Sequence, residues 1–71
     1  MTPNQLDAAY ELYTRLNNRA MLDRVEAVLD ARNYMDATPE NPYAYLELAH
    51  AIKTLVAAMN PAHKAEVFSH E

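Results

Sequence analysis

The hydrophobic pattern is clearest in the stretch between two Asn-Pro pairs, Asn41-Pro42 and Asn60-Pro61. Large apolar residues recur there at alternating spacings of three and four positions, which places them along one side of an α-helix. The pattern predicts a helix over residues 42–59 that packs along another helix. Its apolar stripe consists of Tyr45, Leu48, Ile52, Leu55 and Met59.

A second helix is predicted at the beginning of the chain. Thr2, Pro3 and Gln5 fit a capping box, in which Thr2 is the N-cap, Pro3 takes the first helical position and Gln5 bonds back to the cap. Apolar residues follow at helical spacing, and we predict a helix over residues 3–17. Its apolar stripe includes Leu6, Ala9, Tyr13 and Leu16.

The apolar face changes direction near Asn17-Asn18. At 100° per residue, the large apolar residues that follow, from Met21 to Leu29, gather on a face rotated by about 130° from the first stripe. One explanation is a break at Asn17-Asn18, where Asn18 caps a new helix over residues 19–34. The other is one continuous helix, about 48 Å long at 1.5 Å per residue. We favour the break because two poor helix formers stand in a row.

The two alternatives predict different assemblies. The helix over residues 42–59 is about 27 Å long and covers only about half of a 48 Å helix. A continuous first helix therefore needs a second chain to cover Leu6, Tyr13 and Leu16, which predicts a homodimer. A broken first helix instead closes a compact three-helix monomer.

Both alternatives belong to the all-α class. We predict a single domain over residues 1–71, built as a small bundle of two or three antiparallel helices that is completed by association into a homodimer. Residues 35–41 are predicted to form the main loop, because Pro39 and Pro42 disfavour helix at the residues before them. A short helical turn is predicted over residues 61–67, with the last residues free to fray.

The composition of the chain excludes several kinds of functional site. A chain of 71 residues whose apolar content is more than one third alanine has a thin core, which self-association would thicken. The absence of Cys excludes disulfides and thiolate sites, and the absence of Gly excludes the usual phosphate-binding loops. No apolar run is long enough for a membrane span, and no signal peptide is visible, so we expect a cytoplasmic protein.

Candidate catalytic and metal-binding residues are few. His63, Glu66 and His70 share one face of a helical tail, but no fourth ligand supports a metal site there. His50 lies near Glu47 without a Ser or Cys nucleophile close in the sequence, which is typical of a surface histidine. We therefore predict no enzymatic activity, no metal and no cofactor.

Four arginines fall in the first half of the chain and support an alternative function. A helix bearing them could belong to a helix-turn-helix, and an acidic chain could instead mimic DNA as a decoy for a DNA-binding protein. The net charge of −4 and the acidic residues in the same stretch make binding to nucleic acid the weaker interpretation. The arginines are Arg15, Arg19, Arg24 and Arg32.

Large side chains outside the apolar stripes suggest a protein-binding surface. Tyr43 and Leu46 point away from the stripe of the helix over residues 42–59, and Tyr34 and Met35 flank the main loop. Tyr and Met are favoured at protein interfaces. We predict a regulator, adaptor or inhibitor that binds a protein through these four residues, with an acidic character suited to a basic partner surface. Such small proteins without cofactor motifs are typical of bacterial and phage accessory factors.

Overall fold

Four α-helices and no strand make up the computed structural model, which describes all 71 residues. The predicted all-α class is confirmed. The helices are α1 (Pro3–Arg15), α2 (Arg19–Ala37), α3 (Pro42–Ala58) and α4 (Pro61–Phe68).

Every helix begins at a polar residue whose side chain accepts a hydrogen bond from the first turn. Thr2 forms the full capping box with Gln5, in which the Gln5 backbone donates to Thr2 Oγ1 at 3.1 Å and the Thr2 backbone donates to Gln5 Oε1 at 2.9 Å. Asn18, Asn41 and Asn60 cap the other three helices through their Oδ1 atoms. These bonds satisfy backbone donors that have no partner within the helix.

The first helix is broken at Asn17-Asn18. Asn17 adopts a left-handed conformation with φ of 53°. Its backbone N–H donates to the Thr14 carbonyl, and the Asn18 N–H donates to the Tyr13 carbonyl. This pair of bonds is the Schellman motif, which satisfies carbonyls at the end of α1 before α2 begins.

The second helix is longer than the sequence pattern predicts. It continues to Ala37, whereas the predicted loop begins at Met35. The reason is that Pro39 disfavours a helical backbone only at Thr38, the residue directly before it. Thr38 leaves the helical conformation, and its Oγ1 donates to the Tyr34 carbonyl at 2.7 Å.

The core lies where α2 packs against both α1 and α3, and α4 packs against α1 and adds Val67 to the same core. The largest completely buried side chains are Tyr13, Leu55 and Val25. Ala44 is also buried, although its small side chain leaves it outside the main cluster. The buried cluster consists of Leu6, Ala9, Leu12, Tyr13, Met21, Val25, Val28, Leu55, Met59 and Val67.

The C-terminal segment folds back antiparallel to α1. Gln5 Nε2 donates to the His70 carbonyl at 3.0 Å, and Asn4 Nδ2 donates to the Glu71 carbonyl at 3.0 Å. Val67 is completely buried against the core. The predicted turn over residues 61–67 is therefore a helix that ends at Phe68, and its buried face explains why it is ordered.

Candidate protein-interaction surface

The packing corrects the assignment of Leu6 and Tyr13 as self-association residues. Both are buried in the core of their own chain, because α2 and α4 cover α1 once the first helix is broken. Neither side chain is left for a second chain. Leu16 differs from them, since it lies at the end of α1 and is 48% exposed.

The first turns of α3 carry the most exposed large apolar side chains of the molecule. Tyr43 is 71% exposed, Tyr45 is 66% exposed and Leu46 is 59% exposed. Between them Ala44 is completely buried, so the core side of this turn holds the smallest apolar residue. The three large side chains therefore contribute little to the core and present apolar area to solvent.

Tyr34 lies beside this region although it belongs to α2. Asn41 Nδ2 donates to the Tyr34 hydroxyl at 3.1 Å, which connects the end of α2 to the cap of α3. Tyr34 is itself exposed. We call Tyr34, Tyr43 and Leu46 the tyrosine surface.

Acidic residues stand close in the sequence to the members of the tyrosine surface. Asp36 lies near the end of α2, Glu40 in the loop and Glu47 one turn into α3, and all three are exposed. No Lys or Arg lies between residues 33 and 52. The charge around the tyrosine surface is therefore negative.

Met35 does not join the tyrosine surface. It lines a small, mostly apolar pocket of about 150 Å³ on another side of α2, together with Leu6 and Ile52. Successive residues of a helix are 100° apart, so adjacent Tyr34 and Met35 face different surroundings. The structure thus brings three of the four predicted partner-binding residues into one region and separates the fourth.

The sequence pattern missed Tyr45, which it assigned to the buried stripe. By helical arithmetic Tyr45 lies about 90° from the mean direction of Ala44 and Leu55, the two buried residues of α3. The regular spacing of Ala44, Ala51 and Ala58 does not mark the core side, because Ala44 is buried, Ala51 is partly buried and Ala58 is exposed.

The histidines take separate structural positions. His63 Nδ1 lies 3.2 Å from the Tyr13 hydroxyl, and the two rings meet edge to face. Burial raises the pKa of the Tyr13 hydroxyl, which therefore stays protonated and can donate to this nitrogen. His70 follows the end of α4, and no group of three His, Asp or Glu side chains in the molecule is arranged to hold a metal ion.

Two of the four arginines are paired with carboxylates. Arg19 contacts Asp23 at 3.2 Å and Glu26 at 3.8 Å, and Arg15 contacts Glu66 at 3.7 Å. All these groups are exposed, so the pairs add little stability, but each places a carboxylate beside the guanidinium group of Arg15 or Arg19. The arginines therefore do not form one uncompensated basic face.

Comparison with known proteins does not connect this geometry to a described family. No family model, curated protein or solved structure matches the chain. None of the four helices has both the length and the apolar character that crossing a bilayer requires.

Proposed function

We propose that the protein is a small regulator, adaptor or inhibitor that binds another protein through the tyrosine surface. The observation that carries the proposal is the exposure of Tyr43 and Leu46, at 71% and 59%. Contiguous exposed apolar side chains are typical of protein-binding surfaces, and tyrosine is enriched there.

The charge around the tyrosine surface supports a basic partner. Asp36, Glu40 and Glu47 form an acidic rim around exposed apolar groups. Charges at the rim of an interface mainly raise the association rate and exclude partners of like charge. Binding would then act by covering a basic surface of the partner or by bringing that partner to another molecule.

Photo-crosslinking at the tyrosine surface tests the proposal. We expect Tyr43→benzoylphenylalanine to form a discrete adduct with a second protein in an extract of the source organism, identified by mass spectrometry. Adding Leu46→Ala to this variant should reduce the adduct yield about tenfold, or about 1.4 kcal/mol, because we place Leu46 among the few central residues that carry most of the binding energy of an interface. Helicity should not change, since neither side chain is buried.

The matched control is Tyr10→benzoylphenylalanine, which replaces an exposed tyrosine on α1. The same adduct from positions 10 and 43 would indicate nonspecific contact and contradict the proposal. An adduct from position 43 that contains only a second copy of this chain would contradict it as well.

A further inference from the structure

A second surface runs along the side of the molecule where α2 and α3 meet. A shallow cavity of about 510 Å³ lies between the helices there, and Ala27, Ala31 and Ala51 form much of its lining. Near the C-terminal end of α3 a second cavity, of about 430 Å³, continues it, and His50 lines both. We call these two cavities the α2–α3 groove.

The charges along the α2–α3 groove reverse from one end to the other. Asp30 of α2 and Glu47 of α3 lie at the end near Tyr34. Arg24 of α2 and Lys53 of α3 lie at the opposite end. The groove therefore has an acidic end and a basic end, each with one charge from each helix.

The positions of these charges are symmetric about the middle of the groove. Ala27 lies midway between Arg24 and Asp30 on α2, and His50 lies midway between Glu47 and Lys53 on α3. Each charge is three residues, about 4.5 Å along the helix axis, from its midpoint. A half-turn about an axis through the two midpoints would exchange the acidic and basic ends.

These four charges have no carboxylate or cationic partner within the chain. The ion pairs of the molecule involve Arg15 and Arg19 only. Asp30, Glu47 and Lys53 are exposed, and Arg24 makes only a contact of 3.3 Å to the carbonyl of Ala20. The groove charges are therefore free to pair with charges outside the chain.

We infer that the α2–α3 groove binds a second copy of this chain in an antiparallel, two-fold symmetric dimer. In that arrangement Asp30 and Glu47 of each copy face the basic end of the other copy, so that both ends of the interface pair opposite charges. The alternative two-fold axis, parallel to the groove, would bring like charges together and is disfavoured. The alanines let the two backbones approach closely.

The size of the groove face predicts a weak dimer. Each of the two helices is about 25 Å long and about 10 Å wide, so together they offer about 500 Å² of surface per chain. This area is near the lower limit for a specific interface. We therefore expect a dissociation constant in the micromolar range that rises with salt, since exposed ion pairs are screened.

The dimer does not rest on the function proposed above. The two surfaces adjoin, because Tyr34 and Glu47 line the acidic end of the groove, but Tyr43 and Leu46, which carry the proposed function, line neither cavity. It also differs from the dimer predicted from Leu6, Tyr13 and Leu16, two of which are buried in the core.

Charge reversal tests the arrangement by sedimentation equilibrium. The variant Asp30→Lys/Glu47→Lys has two basic ends, and Arg24→Glu/Lys53→Glu has two acidic ends. We expect each variant alone to dimerise at least tenfold more weakly than the wild type, because like charges face each other. An equimolar mixture should form a heterodimer, in which every pair is again of opposite charge.

The control Asp7→Lys/Glu11→Lys makes the same change in net charge on α1 and should leave dimerisation unchanged. Circular dichroism checks that each variant is folded. If Asp30→Lys/Glu47→Lys does not fold, Asp30→Asn/Glu47→Gln replaces it, and Arg24→Gln/Lys53→Gln replaces Arg24→Glu/Lys53→Glu in the same way. A wild type that stays monomeric at millimolar concentration would overturn the inference. So would a dimer that both reversed variants retain, or a mixture that forms no heterodimer.

Discussion

Two identical neighbours, Asn17 and Asn18, perform different tasks at the break between α1 and α2. Asn17 takes the left-handed conformation that ends α1, and Asn18 accepts a hydrogen bond at the start of α2. Asparagine tolerates a positive φ better than other residues with a side chain, and the chain contains no Gly. The sequence indicates a break at this pair, but only the backbone reveals which of the two residues reverses the chain.

The positive φ of Asn17 predicts how substitutions there change stability. We expect Asn17→Ala to lower the free energy of unfolding by about 1 kcal/mol, because alanine keeps the strained β-carbon but lacks the polar side chain that lets asparagine tolerate the left-handed region, and Asn17→Gly to preserve or raise it. Urea denaturation gives the values. The control is Asn33→Ala at an exposed helical position one turn before the end of α2, which should be neutral or slightly stabilising. If Asn17→Ala is also neutral, the Schellman turn is not formed in solution.

The C-terminal helix is the element whose order depends most on distant contacts. Its sequence holds only two sizeable apolar residues, Val67 and Phe68, and its eight residues are too few to form a stable helix alone. In the fold Val67 is completely buried, and His63 contacts the Tyr13 hydroxyl. The element is therefore stabilised by α1, which no local pattern could have predicted.

Adjacent substitutions in α4 test this dependence. We expect Val67→Ala to lower the free energy of unfolding by about 2 kcal/mol, because it removes buried methyl groups and leaves a cavity. Phe68→Ala should change it far less, because that larger side chain is 40% exposed. Thermal denaturation followed by circular dichroism compares the two. Equal effects at both positions would mean that α4 does not pack on α1 as described.

At the scale of the whole molecule, the small core and the exposed apolar groups have one origin. Only 11 of 71 residues are buried, and several of these are small. Four short helices cannot enclose every large side chain, so the apolar residues that the core leaves out remain on the surface. The molecule is compact, with a radius of gyration of 12.0 Å. The tyrosine surface and the α2–α3 groove nevertheless remain exposed to solvent.

Dimerisation through the groove should make the melting temperature depend on protein concentration. A dimer that forms only from folded chains stabilises the fold by mass action. We expect the melting temperature of the wild type to rise with concentration, and that of Asp30→Lys/Glu47→Lys to stay constant over the same range. Calorimetry at several concentrations measures both. A constant melting temperature for the wild type would contradict a dimer in that range.

The sequence by itself determined where the helices start and that the fold is all-α. Thr2, Asn18 and Asn41 act within two or three residues of their own position, so the interactions that begin a helix are readable from the local sequence. Only the tertiary structure decided which apolar residues are buried. Tyr13 is covered by its own chain and Tyr45 is exposed, because burial depends on how distant helices pack. The surfaces left for partners follow from that packing.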